Sequence, residues 1–380
     1  MDKQKANVLI VCGAGIVSGK EIMTLELARG LKSKGQSAHV LTSVWSDEAF
    51  PSRLEEIGLP FDRLPLGFIS LTLTRQCLNW TYGQLVRWPE LLRGYRALLK
   101  TQKPRTVIHT NWHHLLVLYP LLRADRDLFW VHDVVPDKRH YKIVFQMLGS
   151  RLRRFVPVSN AVAESLRRSG IPEDKIHVIY NGLPDPAIGV ERISGSRDAV
   201  RLGIIGQVNP CKGHDDLLEA FGQLSAQWPN IEIHIFGHEA DDYGQQLRSR
   251  SASLGLNERV KWHGYVSSRP AIFSNIDICV VPSRVEDSLP TVAIEAASFG
   301  LPAIATQRGG LPEIVKDGVT GILVPSNNPT ALATGIERLL ADPDLRYQMG
   351  LKARQRMLEM FSHERFVNEF LLLLNASPAQ

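Results

Sequence analysis

The sequence has no closely spaced cysteines. Four stand in 380 residues, Cys12, Cys77, Cys211 and Cys279, far apart and without a C-x-x-C pair. That excludes a disulfide framework or a zinc ribbon and fits a reducing cytoplasm. No apolar run approaches the roughly 18 residues that a spanning helix needs, so the chain is not expected to cross a membrane. The run Val8-Leu9-Ile10-Val11-Cys12 follows two lysines as a signal peptide would. Glycines interrupt it and a helical pattern follows at once, so it reads as a first buried strand. Metal-ligand spacings are lacking too. Asp125-Arg126-Asp127 precedes a strand rather than following one, and Asp342-Pro343-Asp344 links two helices, so neither reads as a metal site.

What is present suits a soluble globular protein, with 44% hydrophobic and 22% charged residues. The length is too great for one ordinary core and suits two domains of roughly 150–200 residues each. Charge is unevenly spread. Residues 1–190 hold 26 Lys and Arg against 17 Asp and Glu, while the remainder holds 18 against 22. The first half is therefore expected to meet something anionic. Two basic stretches carry that excess: residues 75–105, with seven basic residues, one acid and several aromatics, and residues 138–154, with six and none. They would suit peripheral contact with an anionic membrane surface or an anionic acceptor, and ordinary solvated helix faces stay open as a reading. No nucleic-acid module accompanies the charge, so nucleic acid is not an expected partner.

In chain order, a strand at 7–12 runs into the glycine-rich turn Gly13-Ala14-Gly15-Ile16-Val17-Ser18-Gly19-Lys20. A helix and a second strand, Ala38 to Thr42, follow. This β-loop-α-β unit implies a parallel sheet. As a phosphate-binding P-loop the turn fails twice, at Ala14 and at Glu21. As a dinucleotide fingerprint it has Gly13, Gly15 and Gly19 but no acid closing the second strand. A glycine-rich wall letting backbone approach a diphosphate or sugar remains, beside a plain tight turn. Two further apolar strands end in histidines, His109 and His132, the second followed by Asp133. Ligands gather at the C-terminal ends of parallel strands, which makes both histidines candidates. Asn181-Gly182, prolines at 184 and 186 and a low-complexity run to Asp198 mark a domain boundary.

The second half opens with a strand at 200–205, then Gly206-Gln207-Val208-Asn209-Pro210-Cys211-Lys212-Gly213 and a helix from His214. Lys212 is a flexible point charge able to neutralise a diphosphate. Further α/β units follow, and the informative one is Ile278 to Ala296. There an apolar strand breaks into a polar turn and restarts as a helix near Pro290, whose missing N–H costs nothing at a helix start. The free N–H groups of that end seat phosphate. Glu295 lies on the face that Thr291 begins, where a carboxylate can accept two hydroxyls of a diol. The bland alternative makes Asp287 a helix cap and Glu295 a solvated charge.

Taken together, these segments resemble glycosyltransferase family 4. The resemblance rests on Asp287 and Glu295, spaced as the family's paired acids, with Asp in place of the usual first Glu. It also rests on Ser18-Gly19-Lys20-Glu21, His132-Asp133, Val158-Ser159-Asn160, Tyr180-Asn181-Gly182, Gly206 to Gly213, Gly264-Tyr265-Val266 and the Gly309-Gly310 to Val324 pattern. It covers about residues 8 to 375. It implies an α/β chain of the GT-B fold, two doubly wound, Rossmann-like parallel-sheet domains facing across a cleft. Residues 1–190 would bind the acceptor, with a C-terminal helix at 362–380 packing back on them, and 191–361 the donor. The implied activity is retaining transfer from a nucleotide-diphospho-sugar (UDP or GDP) to a sugar-containing, lipid-linked or small acceptor, in the synthesis of surface polysaccharide or glycoconjugates, without metal or other cofactor.

The resemblance carries roles onto residues. Glu295 would hold the ribose, and Lys212 with Leu289, Pro290 and Thr291 the diphosphate. Tyr265 and Val266 would face the base, and Gly15, Gly19 and Gly206 would wall the donor. Gln207 stands where the family usually has Arg and would add a hydrogen bond without charge. His132 and Asp287 would frame the transferred sugar; His109, a candidate from its strand end alone, would lie with His132 towards the acceptor. A protein that binds sugar nucleotides with little transfer is the alternative, motivated by Gln207 and Asp287.

Overall fold

The structure is a computed structural model that describes residues 7–13, 17–69, 74–186, 199–239 and 241–376. It divides into two compact units, Met1–Gly182 with His363–Gln380, and Leu183–Ser362.

The first unit holds six strands: β1 (Val8–Val11), β2 (Ala38–Ser43), β3 (Phe61–Leu64), β4 (Thr106–His109), β5 (Asp127–Val131) and β6 (Arg154–Pro157). All pair in parallel in the order β3-β2-β1-β4-β5-β6. The second unit repeats this with β7 (Val200–Ile205), β8 (Ile231–Phe236), β9 (Val260–Gly264), β10 (Ile278–Val281), β11 (Ala303–Thr306) and β12 (Gly321–Val324), ordered β12-β11-β10-β7-β8-β9. Central strands covered by helices on both faces must be apolar throughout rather than alternating. The sequences Val-Leu-Ile-Val in β1 and Ile-Cys-Val-Val in β10 meet that demand, and every residue of both is buried. Strand order reverses between β1 and β4 in one unit and between β7 and β10 in the other. A doubly wound sheet opens its ligand crevice there, beyond the strands' C-terminal ends.

The first unit closes with the helix His363–Asn375. Phe366 and Phe370 lie 5.7 and 5.0 Å from the Trp130 indole, ring centre to ring centre. Close approach to the helix Gly19–Ser33 depends on Gly30, where a Cβ would fall 2.1 Å from a Val367 methyl. The chain leaves this unit after Gly182, before the position 190 at which the sequence suggested a boundary. The earlier exit follows from Leu183, whose N–H bonds the Phe361 carbonyl at 2.9 Å and anchors the strand-like link to the second unit. The basic, aromatic stretch forms two helices, Arg75–Val86 and Trp88–Gln102, with Arg87 between them.

Candidate active site

In the second unit, the C-terminal ends of β7 and β10 gather the residues of interest. After β10 the chain turns through Pro282 and the fully buried Ser283, whose carbonyl accepts the Thr306 hydroxyl at 2.7 Å and the Ser326 hydroxyl at 3.2 Å. Asp287 does not cap the following helix. Its carboxylate instead accepts the Ser283 hydroxyl at 2.7 Å and the Lys212 ammonium at 2.9 and 3.1 Å. Three glycines make this geometry. Gly213 has φ +72° and packs against Pro282, whose carbonyl oxygen would lie 2.1 Å from any Cβ, so the Lys212 turn is seated on the end of β10. The Gly309-Gly310 pair lets the Asp287 carbonyl approach within 2.0 Å of where a Gly309 Cβ would stand, and Gly310 N–H donates to that carbonyl at 2.8 Å.

The helix Thr291–Ser298 begins after Pro290 with no side-chain cap. The Ala293 N–H turns back to the Pro290 carbonyl at 3.2 Å, and the positive end of the helix faces the turn. Leu289 is buried and pins the turn, while Pro290 and Thr291 are half-buried at the helix start. Glu295 is one turn inside. It is not a solvated charge: it is largely buried, and Arg269 approaches it at 3.3 Å. Burial pushes its carboxyl above the ordinary range, and the Arg269 charge and the Thr291 hydroxyl partly offset that rise. The i, i+4 relation of Thr291 and Glu295 thus brings the two side chains together.

Gly206 follows β7, with φ +144° and its N–H on the Phe236 carbonyl. Gln207 is exposed, and its side-chain oxygen accepts the Asn209 amide at 3.4 Å. Tyr265 is exposed and stacks on His238 with ring centres 4.8 Å apart and planes 2° from parallel. Val266 follows it, half-buried. Sequence reasoning missed His238. Its signal was available, because it follows the C-terminal end of β8 as His132 follows β5. Arg284 was also passed over. It binds both Asp215 and Asp216, at 2.8 and 2.6 Å, and its N–H reaches the Cys211 carbonyl, bracing the Lys212 turn from the other side.

In the first unit, His132 follows β5 beside a cavity of about 190 Å³ that Asn111, Trp112, Asp133 and Tyr141 also line. Its Nε2 is buried and lacks a partner among the described residues. Burial, reinforced by the nearby Lys20 charge, holds its pKa well below the usual histidine range, so the ring is neutral near pH 7. His109 does not join it. That ring is wholly buried and its Nε2 pairs with Asp127 at 2.7 Å, while Arg126 takes the other Asp127 oxygen. Its Nδ1 has no partner among the described residues, and the wholly buried ring presents no exposed face for the acceptor contact expected at His109. Gly19 opens the helix Gly19–Ser33, where Glu21 accepts the Ser18 N–H at 3.0 Å and is spent on capping. Gly15 lies outside the described residues. No helix among the described residues is long and apolar enough to cross a membrane.

Two doubly wound units of one strand order, each with polar residues at its switch point, define an α/β protein of the GT-B kind. Comparison with known proteins agrees. The description "Glycosyltransferase Family 4" matches residues 17–185 and "Glycosyl transferases group 1" matches 194–356, so the two together span most of the chain. D-inositol 3-phosphate glycosyltransferase of Corynebacterium efficiens is 31% identical over 269 residues, 65% of this chain and 60% of that one. Lipopolysaccharide 1,2-N-acetylglucosaminetransferase of Salmonella typhimurium is 29% identical over 189 residues, 47% of this chain and 49% of that one. The chain spans about half the length of the curated relatives it matches. Among solved structures, Anabaena HepE in complex with UDP and glucose superposes with a TM-score of 0.80 at 20% identity, over 98% of this chain and 100% of that one. The chain belongs to glycosyltransferase family 4 and has the GT-B fold.

Proposed function

We propose that the protein is a retaining, metal-independent glycosyltransferase that takes a sugar from a nucleotide-diphospho-sugar and passes it to a sugar-bearing or lipid-borne acceptor in surface glycoconjugate synthesis. The observation that carries this is the convergence of Lys212, Asp287 and an uncapped helix end at Pro290 on one strand end, with Glu295 one turn behind. In the free protein Asp287 holds the Lys212 ammonium. A donor's diphosphate would draw that charge off, aided by the N–H groups at Leu289, Pro290's successor Thr291 and the helix dipole. Glu295 retains acceptor capacity for the ribose hydroxyls, and the stacked Tyr265 and His238 rings offer a platform for the base. UDP is the favoured nucleotide, since HepE, which shares the fold, carries UDP and glucose in its structure.

In the transfer itself the bond from the sugar's anomeric carbon to the donor phosphate oxygen breaks. The acceptor hydroxyl bonds to that carbon on the same face, and its proton passes to the departing phosphate. Lys212 stabilises the charge that develops on the diphosphate, which gives the protein a cation where other enzymes use a metal. Neutral His132 would accept or donate a hydrogen bond to an acceptor hydroxyl in the cavity after β5 through its unpartnered Nε2. Asp287, released from Lys212, would face the sugar's hydroxyls.

A thermal-shift and nucleotide-release screen with UDP- and GDP-sugars, with Glu295→Ala beside the wild type, tests this. A donor that stabilises only the wild type and slowly releases nucleotide supports it. No stabilisation by any donor sinks it. A second reading, donor binding with little transfer, follows from the exposed and uncharged Gln207. It predicts stabilisation without release and faster release in Gln207→Arg.

A further inference from the structure

The first unit contains a second cavity, of about 360 Å³, walled by Trp45, Phe68 and Trp80 and floored by glycines 13, 67 and 83. It is a built feature. The Trp45 indole lies over Gly67, where a Cβ would come within 2.6 Å of the ring, and the Arg87 guanidinium sits 5.5 Å from that ring. Phe68 is fixed edge-on to His113 at 5.3 Å and lies 6.4 Å from Trp80. The polar lining is sparse: the Ser43 hydroxyl, already accepting the Trp45 N–H at 3.1 Å, and the Asn79 amide. A sugar ring buried there would leave most hydroxyls unpaired, which is costly. A hydrocarbon chain would not.

The helix Arg75–Val86 connects this cavity to the surface. At 100° per residue, Asn79, Gly83 and Trp80 turn one face to the cavity. The face beside it carries Leu78, Tyr82, Leu85 and Val86 at i, i+4, i+7 and i+8, between 50 and 71% exposed. An apolar stripe turned to water marks an interaction surface. Arg75 begins the same stripe, and Arg93 and Arg96 are exposed on the next helix. Arg93 donates to the Pro89 carbonyl at 3.3 Å and its charge acts on Glu90, whereas Arg75, at the head of the stripe, is exposed. Apolar walls with the exposed Arg75 on the adjoining stripe and the Arg87 charge over Trp45 suit an anionic amphiphile.

We propose that this cavity receives the hydrocarbon chain of an anionic, lipid-borne acceptor, with the stripe of helix Arg75–Val86 against the remaining chain and Arg75 near its charged head. The proposal rests on the reading that the first unit takes the acceptor. Dodecyl phosphate is the probe, with methyl phosphate and methyl glucoside as comparators, each titrated calorimetrically into the full chain. Gly83→Leu fills the cavity without harming the fold, because a Cβ at 83 meets nothing within 4 Å and leucine favours helix. Wild type should bind dodecyl phosphate saturably and methyl phosphate not at all, and Gly83→Leu should bind the amphiphile at least about tenfold more weakly while UDP still shifts its melting as in wild type. Equal binding by Gly83→Leu, or methyl glucoside binding as well as the amphiphile, would overturn the proposal. Amphiphile binding in a protein that no nucleotide sugar stabilises would leave this cavity standing and remove the transferase reading instead.

Discussion

Lys212→Met is the most informative perturbation, because it deletes a charge and keeps the stem. The Lys212–Asp287 pair is about one-third exposed on the lysine side, so its contribution to folding is small, about 1 kcal/mol or less. Asp287 keeps the Ser283 hydroxyl, which limits the loss further. Binding of a diphosphate is another matter. Two unit charges 4 Å apart interact by about 4 kcal/mol at an effective dielectric near 20. Partial exposure and salt reduce this to about 2 kcal/mol, or roughly 30-fold in Kd. The assay is calorimetric titration of UDP at fixed ionic strength, beside urea unfolding of the same preparation. The expected outcome is a roughly 30-fold weaker UDP complex with unfolding within about 1 kcal/mol of wild type. UDP affinity within twofold of wild type, with unfolding unchanged, would refute the assignment of Lys212 to the diphosphate.

Three further outcomes follow from the structure. Gly213→Ala must accommodate both φ +72° and a carbonyl 2.1 Å from its methyl, and should lose about 3 kcal/mol or more in urea unfolding; a loss under about 1 kcal/mol would show that the turn relaxes freely. Glu295 has a folded pKa raised above its unfolded value of 4.5, so its contribution favours the fold below that value and is lost as pH rises through the raised one. The wild-type minus Glu295→Gln difference in unfolding free energy should therefore fall as pH rises above 4.5, and a difference that rises would reverse the argument. Gly30→Val should displace the helix His363–Asn375 and destabilise the first unit by about 1–3 kcal/mol, seen as earlier exposure of Trp130 to a fluorescence quencher.

Much of the fold was legible because parallel-sheet proteins write it locally. Continuous apolar runs of four to six residues, each closing on glycine or a polar turn and followed by a helical period, have few other solutions. The spacing of Asp287 and Glu295 was legible for a similar reason, since both sit on one strand–turn–helix unit. Pairings across long sequence separations were not. Nothing near His109 indicates that Asp127 would satisfy it, nor does anything near Asp287 name Lys212, 75 residues away, as its partner. The stretch at 75–105 read correctly as helical and basic. Which of its faces met the core, and that Trp80 would close a cavity with Trp45, depended on a tertiary arrangement no local pattern encodes.

The return of residues 363–375 to the first unit has a consequence for synthesis. Trp130 is complete in the nascent chain long before Phe366 and Phe370 exist to cover it. At about 5–20 residues per second, the ribosome spends roughly 10–40 s making the intervening second unit. For that interval the first unit presents a bare aromatic face with its final helix still unmade. Unit two, whose ends meet at Leu183 and Phe361, can close in the meantime. The unit translated first is thus the last to be finished.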